Sequence, residues 1–372
     1  MTDLESALAS DTLQLVDIAS ESRDERAIID AIGSRIDKVA GLRVVRGEDV
    51  VVAALPARRA GMPLVLLAGH VDTVPLGGAA FPATLDGDVV SGRGAADMKG
   101  GLAVMLRLAE EDAASDAVDV GYLFFGREEV PINESALLPA FERWPELRDA
   151  ALAIVLEPTA NRLEVGCNGN LNARVTVSGT AAHSARPWLG DNAIHNAIEA
   201  LAAIADLPVR DVDVDGLVFR EVVSVTRIEG GGADNVVPDT VHAHVNLRYA
   251  PSHTPTEAEA RLRELVEHDG VAVEIVGNAP PGRVCLDNPL VERLRTTGEL
   301  HIGPKQGWTP VAEFGIGGVD AVNLGPGDPR YAHSDDEQVS GTALARTHEI
   351  VSAFLAGRKA EVGPSLTIDA GG

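Results

Sequence analysis

Leu64-Val-Leu-Leu-Ala-Gly-His70 is a short apolar run that ends in a glycine and a histidine, and it predicts a strand. Comparable runs at residues 118–125 and 151–156 predict two more strands, with an apolar helix at residues 101–110. The last obvious strand of this kind is predicted at residues 319–324. Strands that alternate with helices in this way favour an α/β fold with a mixed, mainly parallel sheet.

Upstream of these runs, apolar residues at helical spacing predict helices at residues 4–19 and 24–39. Residues 44–55 look like strand material. At the other end, residues 357–372 are polar and punctuated by glycine and proline, which predicts a loose tail.

A different pattern begins near residue 171. Strands and helices are predicted there in the order β-α-β-β-α-β, which is the ferredoxin-like order, over residues 171–178, 191–205, 222–228, 240–249, 256–268 and 271–276. The first pattern resumes after Ala279-Pro-Pro-Gly282. We therefore predict a smaller α+β lid domain, residues 175–282, inserted into a larger discontinuous domain of residues 1–174 and 283–372.

The composition limits the possible partners and compartment. The formal net charge is −25, which argues against nucleic-acid binding and against binding to anionic membranes. No apolar stretch is long enough to span a bilayer, and the first residues lack the basic and apolar regions of a signal peptide. Two cysteines in 372 residues fit a reducing compartment, so we expect a cytoplasmic protein.

Five histidine, aspartate and glutamate residues fall just beyond strand or loop ends of the larger domain: His70, Asp97, Glu129, Glu157 and His333. The carboxyl ends of parallel strands form the ligand crevice of open α/β sheets, so distant positions in the chain can converge there. Two imidazoles and three carboxylates can hold two zinc ions if one carboxylate bridges them, and Co²⁺ could substitute. Asp97 lies in a glycine-flanked turn and is the expected bridge.

Two further carboxylates complete the predicted site. Glu128 is adjacent to Glu129 and, in an extended segment, would point away from it, so it can act as a general base that is not a ligand. Asp72 lies two residues from His70 and is expected to orient that imidazole. Taken singly, a His-x-Asp sequence is usually an ordinary turn and a Glu-Glu pair a solvated surface; the joint occurrence favours a metal site.

Several motifs also carry a resemblance to a known family: Gly94-Ala-Ala-Asp-Met-Lys99, Ala182-His-Ser-Ala-Arg186, Asn235-Val-Val-Pro-Asp239, Lys305-Gln-Gly-Trp-Thr309 and Asn323-Leu-Gly-Pro-Gly-Asp-Pro329. The chain resembles, over nearly its whole length, the cocatalytic zinc aminoacylase/carboxypeptidase family, and within it most closely the succinyl-diaminopimelate desuccinylases of actinobacteria. The resemblance implies a zinc-peptidase-like catalytic domain that carries both ions and an inserted lid that forms a homodimer.

The resemblance also assigns roles to residues. It implies that the five named side chains are ligands, that Glu128 is the base and Asp72 the orienting residue, and that His183 reaches across the dimer to stabilise an oxyanion. Glu157 departs from family members with aspartate at that position. The expected substrate-binding residues are Arg186, Asn235, Arg248, Gly307 and Thr309; a surface salt bridge is an equally good interpretation of Arg248.

The expected activity is hydrolysis of a small acylated amino acid, namely N-succinyl-LL-2,6-diaminopimelate, to succinate and LL-2,6-diaminopimelate. One alternative is an acetylornithine deacetylase or another N-acyl-amino-acid hydrolase, which would need fewer cationic contacts. The other is a non-catalytic relative that binds metal or peptide. The intact Glu128 and the full ligand set argue against the last alternative.

Overall fold

A computed structural model describes residues 1–47, 50–111 and 115–360 of the chain. These residues form two compact units. The first comprises Met1–Gly166, Cys285–Gly303 and the described chain from Thr309 onward, and the second comprises Cys167–Val284 and Pro304–Trp308. The second unit includes the whole strand that ends at residue 178, because that strand pairs along its full length with two strands of the same unit.

The described chain contains the predicted helices in the predicted order, and further helices that were not individually predicted. They are α1 (Asp3–Val16), α2 (Arg26–Ile36), α3 (Gly100–Glu110), α4 (Leu137–Arg143), α5 (Ala193–Ala205), α6 (Pro255–Val266), α7 (Pro289–Gly298), α8 (Val311–Ile316) and α9 (Gly341–Ala356). Among these residues, none of the helices combines the length and the hydropathy that a bilayer crossing needs.

Eleven strands of the described chain, with nearly all of their residues in the first unit, form an eight-stranded sheet and a three-stranded sheet. They are β1 (Leu42–Gly47), β2 (Val51–Pro56), β3 (Leu64–His70), β4 (Thr84–Asp86), β5 (Val89–Ser91), β6 (Asp119–Phe125), β7 (Ala150–Val155), β8 (Leu163–Cys167), β16 (Ile302–Lys305), β17 (Ala321–Asn323) and β18 (Gln338–Ser340). The large sheet has the order β1-β2-β6-β3-β7-β17-β8-β16, and the small one β18-β5-β4.

The centre of the large sheet is parallel, as predicted. Strands β6, β3, β7 and β17 are neighbours in that order and run in the same direction, whereas β1, β2 and β8 pair antiparallel. Every residue of β3 and of β6 is buried, which explains why their sequences are continuous apolar runs rather than alternating ones. The four parallel strands therefore end along one edge of the sheet.

The second unit contains β9 (Gly169–Ser178), β10 (Ala182–His183), β11 (Arg210–Val214), β12 (Leu217–Gly230), β13 (Val236–Val237), β14 (Thr240–Tyr249) and β15 (Val271–Ala279). Its five-stranded antiparallel sheet has the order β11-β12-β14-β9-β15, which is the predicted ferredoxin-like arrangement with one added edge strand. Alternate residues of β14 are buried in a core shared with α5 and α6, and the other face is polar. Asn192 caps α5 through its side chain.

Within the stretch predicted as strand material, residues 44–47 and 51–55 belong to β1 and β2, which pair antiparallel. Of the predicted tail, residues 361–372 lie outside the described residues, so that prediction stays untested.

Candidate metal centre

The four parallel strands deliver four of the predicted ligands to one edge of the large sheet. His70 is the last residue of β3, Glu129 follows β6, Glu157 follows β7, and His333 follows β17 after a longer loop. Asp97, by contrast, does not follow a strand of the large sheet. It lies in the segment Ala95–Lys99, between the small sheet and the start of α3.

Close packing shapes the Asp97 segment. Gly94 has a φ of 85°, and a Cβ there would lie 2.7 Å from Thr73 Cγ2, so only glycine suits both the backbone and the space. At Gly101, a Cβ would lie 2.4 Å from the backbone oxygen of Leu156. The glycines therefore bring the start of α3 against the end of β7, where Glu157 begins.

The five side chains form two ligand sets that share Asp97. One set is His70, Asp97 and Glu157, and the other is Asp97, Glu129 and His333; within each, one donor atom from every residue lies within 4.8 Å of the others. Asp97 offers Oδ1 to His70 Nε2 at 3.0 Å and Oδ2 to His333 Nε2 at 3.4 Å. The carboxylate thus has the geometry of a bridge.

The donor spacing fits metal coordination. His333 Nε2 lies 3.0 Å from Glu129 Oε1, and His70 Nε2 lies 3.6 Å from Glu157 Oε1. Two donors that bind one tetrahedral zinc ion at its usual bond lengths are separated by about 3.4 Å. The residues present therefore fit a pair of divalent cations without rearrangement of the backbone.

The electrostatics of the site favour positive charge at its centre. Burial acts to lower the pKa of His70, but the carboxylates of Asp72 and Asp97 outweigh it and hold that pKa well above the ordinary value. Hydrogen bonds to Asp97 and Glu129 raise the pKa of His333 to about 10. Burial raises the pKa of Glu128, which lies among other carboxylates. A divalent cation supplies the positive charge that such a cluster stabilises.

Asp72 has two structural tasks, of which the sequence predicted one. His70 Nδ1 lies 3.0 Å from the backbone carbonyl of Asp72 and 3.6 Å from its carboxylate, so the nearer orienting group is the carbonyl. The carboxylate instead accepts the backbone N–H groups of Glu128 and Glu129, each at 3.0 Å, and the Ser22 hydroxyl at 2.7 Å. Asp72 therefore fixes His70 and the Glu128–Glu129 turn together, a link that sequence spacing does not reveal.

The expectation that Glu128 and Glu129 point in opposite directions was wrong. One carboxylate oxygen of each lies within 4.8 Å of the other and of a His70 nitrogen. The alternation of a strand does not apply here, because β6 ends at Phe125 and Arg127 adopts a left-handed φ of 64°. Glu128 nevertheless stays outside the two sets that share Asp97.

The remaining predicted residues are divided between the units. Thr309 is buried just before α8 in the first unit. His183, Arg186, Asn235, Arg248 and Gly307 belong to the second unit. Within it, pairing of β10 with β13 brings His183 beside the Asn235 segment, and the Asn235 carbonyl accepts the Ser184 N–H at 2.9 Å. The His183 side chain is exposed, and its Nδ1 accepts the Ala185 N–H at 3.1 Å.

Arg248 lies on the polar face of β14 and is held by an asparagine cluster that sequence reasoning missed. Its Nε donates to Asn246 Oδ1 at 3.0 Å. The Asn246 amide donates in turn to Asn170 Oδ1 at 2.6 Å and to Asn172 Oδ1 at 2.9 Å. These contacts fix which way the Asn246 amide points. The alternation of β9 and β14, which places these side chains on one face, was the available signal.

Comparison with known proteins agrees with this architecture. A sequence profile described as "Peptidase dimerisation domain" matches residues 165–274. DapE of Mycobacterium tuberculosis is named as a candidate succinyl-diaminopimelate desuccinylase. It is 37% identical to this chain, and the match covers 96% of this chain and 100% of that protein. The succinyl-diaminopimelate desuccinylase of Corynebacterium glutamicum is 36% identical, over 92% of this chain and 95% of that protein.

The fold is also similar to that of a solved structure. An M20 family metallo-carboxypeptidase from Sulfolobus solfataricus superposes with a TM-score of 0.76, at 19% identity, over 96% of this chain and 99% of that one. At this level of identity the likeness concerns the fold alone.

Proposed function

The chain belongs to the succinyl-diaminopimelate desuccinylase family of the M20 peptidases, and on this premise we propose that it hydrolyses N-succinyl-LL-2,6-diaminopimelate to succinate and LL-2,6-diaminopimelate. It is a metal-dependent amide hydrolase. The observation that carries the proposal is the pair of ligand sets joined by Asp97, with the Glu128 carboxylate beside them.

His70, Asp97 and Glu157 would hold one ion, and Asp97, Glu129 and His333 the other. We propose zinc because imidazole nitrogen and carboxylate oxygen are its usual ligands, and Co²⁺ fits the same donors. Two bound zinc ions would polarise the scissile amide carbonyl and make a water molecule acidic enough to ionise near neutral pH.

Glu128 performs the proton transfers in this proposal. Its carboxylate accepts a proton from the attacking water and later delivers that proton to the leaving amine. The Asp72 carboxylate holds the Glu128 backbone at 3.0 Å, so the base is fixed relative to His70. Acyl transfer to water thus needs no side-chain nucleophile.

The second unit supplies substrate recognition. Arg248 Nε is occupied by Asn246, and its terminal amino groups make no hydrogen bond within the described residues, so they can bind a carboxylate in the bidentate manner. Arg186, Asn235 and Gly307 are proposed to hold the other polar groups of the substrate, together with Thr309 of the first unit.

We also propose a homodimer formed through the second unit, in which His183 of one subunit stabilises the oxyanion in the site of the other. The match to a dimerisation domain supports this assembly. So do exposed apolar side chains close to His183, since Trp188 is 74% and Leu189 66% exposed. A cytoplasmic location suits a chain with only two cysteines, both of them buried.

The test is a comparison of substrates. The purified protein, loaded with zinc, is given N-succinyl-LL-2,6-diaminopimelate or N-acetylornithine, and release of the primary amine is measured. Loss of a charged contact to the acyl carboxylate should lower kcat/KM by about 10- to 100-fold for the acetyl compound. Faster turnover of N-acetylornithine would favour the acetylornithine deacetylase alternative. No turnover of either substrate would favour a non-catalytic relative that binds metal or peptide.

A further inference from the structure

Arg93 and Glu337 form a buried ion pair beside the ligand sets. Their exposed fractions are 6% and 2%, and Arg93 Nη1 lies 2.8 Å from Glu337 Oε2. The other carboxylate oxygen of Glu337 accepts the backbone N–H groups of Ala96 at 3.1 Å and Asp97 at 3.0 Å. Glu337 therefore joins the arginine directly to the backbone of the bridging ligand.

The same guanidinium also contacts the segments that follow two other ligands. Arg93 Nη1 donates to the carbonyl of Ser334, the residue after His333, at 3.0 Å. Nε and Nη2 donate to the carbonyls of Pro75 and Leu76, at 3.2 and 3.3 Å, just beyond the His70–Asp72 stretch. One side chain thus connects three segments that carry metal ligands.

Of the ligands in these segments, Asp97 and His333 lack support from regular secondary structure. Asp97 has φ −122° and ψ 94° and interrupts the helical turns on either side of it. His333 has a left-handed φ of 63°, and its side chain is 52% exposed, so core packing does not set its position. Their backbones need other partners, and the Arg93–Glu337 pair provides contacts to both segments.

We propose that Arg93 and Glu337 are positioning residues of the metal centre. Glu337 sets the bridging Asp97, and Arg93 sets the His333 segment, before the ions bind. This inference rests on the proposed function only in taking the two ligand sets as a metal site. Partners that orient ligands in this way typically contribute 10- to 100-fold to metal affinity.

The two residues predict different defects. Glu337→Gln replaces one carboxylate oxygen by an NH2 group, which cannot accept a hydrogen bond from the Arg93 guanidinium. The side chain that holds the Asp97 backbone is thereby disturbed. Because Asp97 serves both ligand sets, binding of both ions should weaken by 10- to 100-fold. Arg93→Lys keeps a positive charge for Glu337 but loses the planar fork that reaches Ser334, Pro75 and Leu76. It should weaken mainly the ion held by Glu129 and His333.

Asp119→Asn is the matched control. Asp119 is as buried as Glu337, pairs with Arg58 and Arg59 at 3.0 and 2.6 Å, and accepts the Arg59 N–H at 2.9 Å. It begins β6, at the end of the sheet opposite to the ligands. Its loss should lower the thermal midpoint as the other substitutions do, but leave metal binding intact.

The experiment titrates the full-length, chelator-treated protein with Zn²⁺ against a chromogenic chelator and records the absorption spectrum with Co²⁺. We expect two ions in the unsubstituted protein and in Asp119→Asn, weaker binding of both in Glu337→Gln, and one tight ion in Arg93→Lys with an altered cobalt spectrum. Arg93→Lys retains the charge pairing and serves if Glu337→Gln does not fold.

Two results would overturn the inference while the proposed function stands: affinities within twofold of the unsubstituted protein in both variants, or an equal loss of affinity in Asp119→Asn. Failure of the unsubstituted protein to bind two ions would count against the proposed function itself. The two failures are therefore distinguishable.

Discussion

Glu313 offers a quantitative test of the structure that is independent of catalysis. This carboxyl lies on α8 with an exposed fraction of 0%, and burial raises its pKa from 4.5 to about 7. At low pH the group is neutral in both the folded and the unfolded chain. As the pH rises from 4.5 toward 7, the unfolded chain loses this proton while the folded protein retains it, so the folded state becomes less stable.

The size of the effect follows from the two pKa values. The full cost above pH 7 is roughly 3 kcal/mol of unfolding free energy, of which about 1 kcal/mol is already present at pH 5.5. Glu313→Gln has nearly the same shape and does not ionise. Its advantage over the unsubstituted protein should therefore grow by about 2 kcal/mol between pH 5.5 and pH 8, which corresponds to roughly 4–8 °C in the thermal midpoint.

The assay is thermal unfolding of the chelator-treated protein at pH 5.5, 6.5, 7.5 and 8, a range chosen to lie above the isoelectric point of about 4.7. Glu142→Gln, which removes an exposed glutamate on α4, is the control and should show a constant difference across the range. If Glu313→Gln also shows a constant difference, Glu313 is not a buried carboxyl of raised pKa, and the placement of α8 is wrong.

Three further predictions concern catalysis. Glu128→Gln should bind the normal amount of zinc, measured by atomic absorption, and lose 10²- to 10⁴-fold in kcat because the proton acceptor is gone; normal turnover would refute the mechanism. The His183→Ala and Glu128→Gln variants should each be inactive. An equal mixture of the two, refolded together, should regain about one quarter of the activity, because half of the dimers are hybrids with one intact site. No recovery would place His183 outside its partner's site. Asn246→Ala should release Arg248 and raise KM about tenfold with little change in kcat, and an unchanged KM would show that the asparagine cluster does not orient Arg248.

Much of the fold was predictable because its signals are local. The continuous apolar runs of β3, β6 and β7 identify buried parallel strands, and the alternation in β14 identifies a sheet with one polar face. Four of the expected ligands follow from the same rule, since the residues after neighbouring parallel strands meet at one edge. The length of the chain between them does not matter to this rule.

The contacts that support the ligands were not predictable in the same way. Arg93 and Glu337 are 244 positions apart, and Ser22 and Asp72 are 50 apart. No periodicity links such pairs, because each contact depends on how two loops pack rather than on the geometry of one element. The divergence expected for Glu128 and Glu129 failed for the same reason: it assumed a strand where the backbone of Arg127 turns.

The two ligand sets differ in their access to solvent. The His70 side chain is 1% exposed, whereas that of His333 is 52% exposed. An ion held by His333 and Glu129 would exchange with free metal in the surroundings much faster than one enclosed by His70 and Glu157. At a low concentration of free divalent metal, the exposed position would therefore empty before the enclosed one.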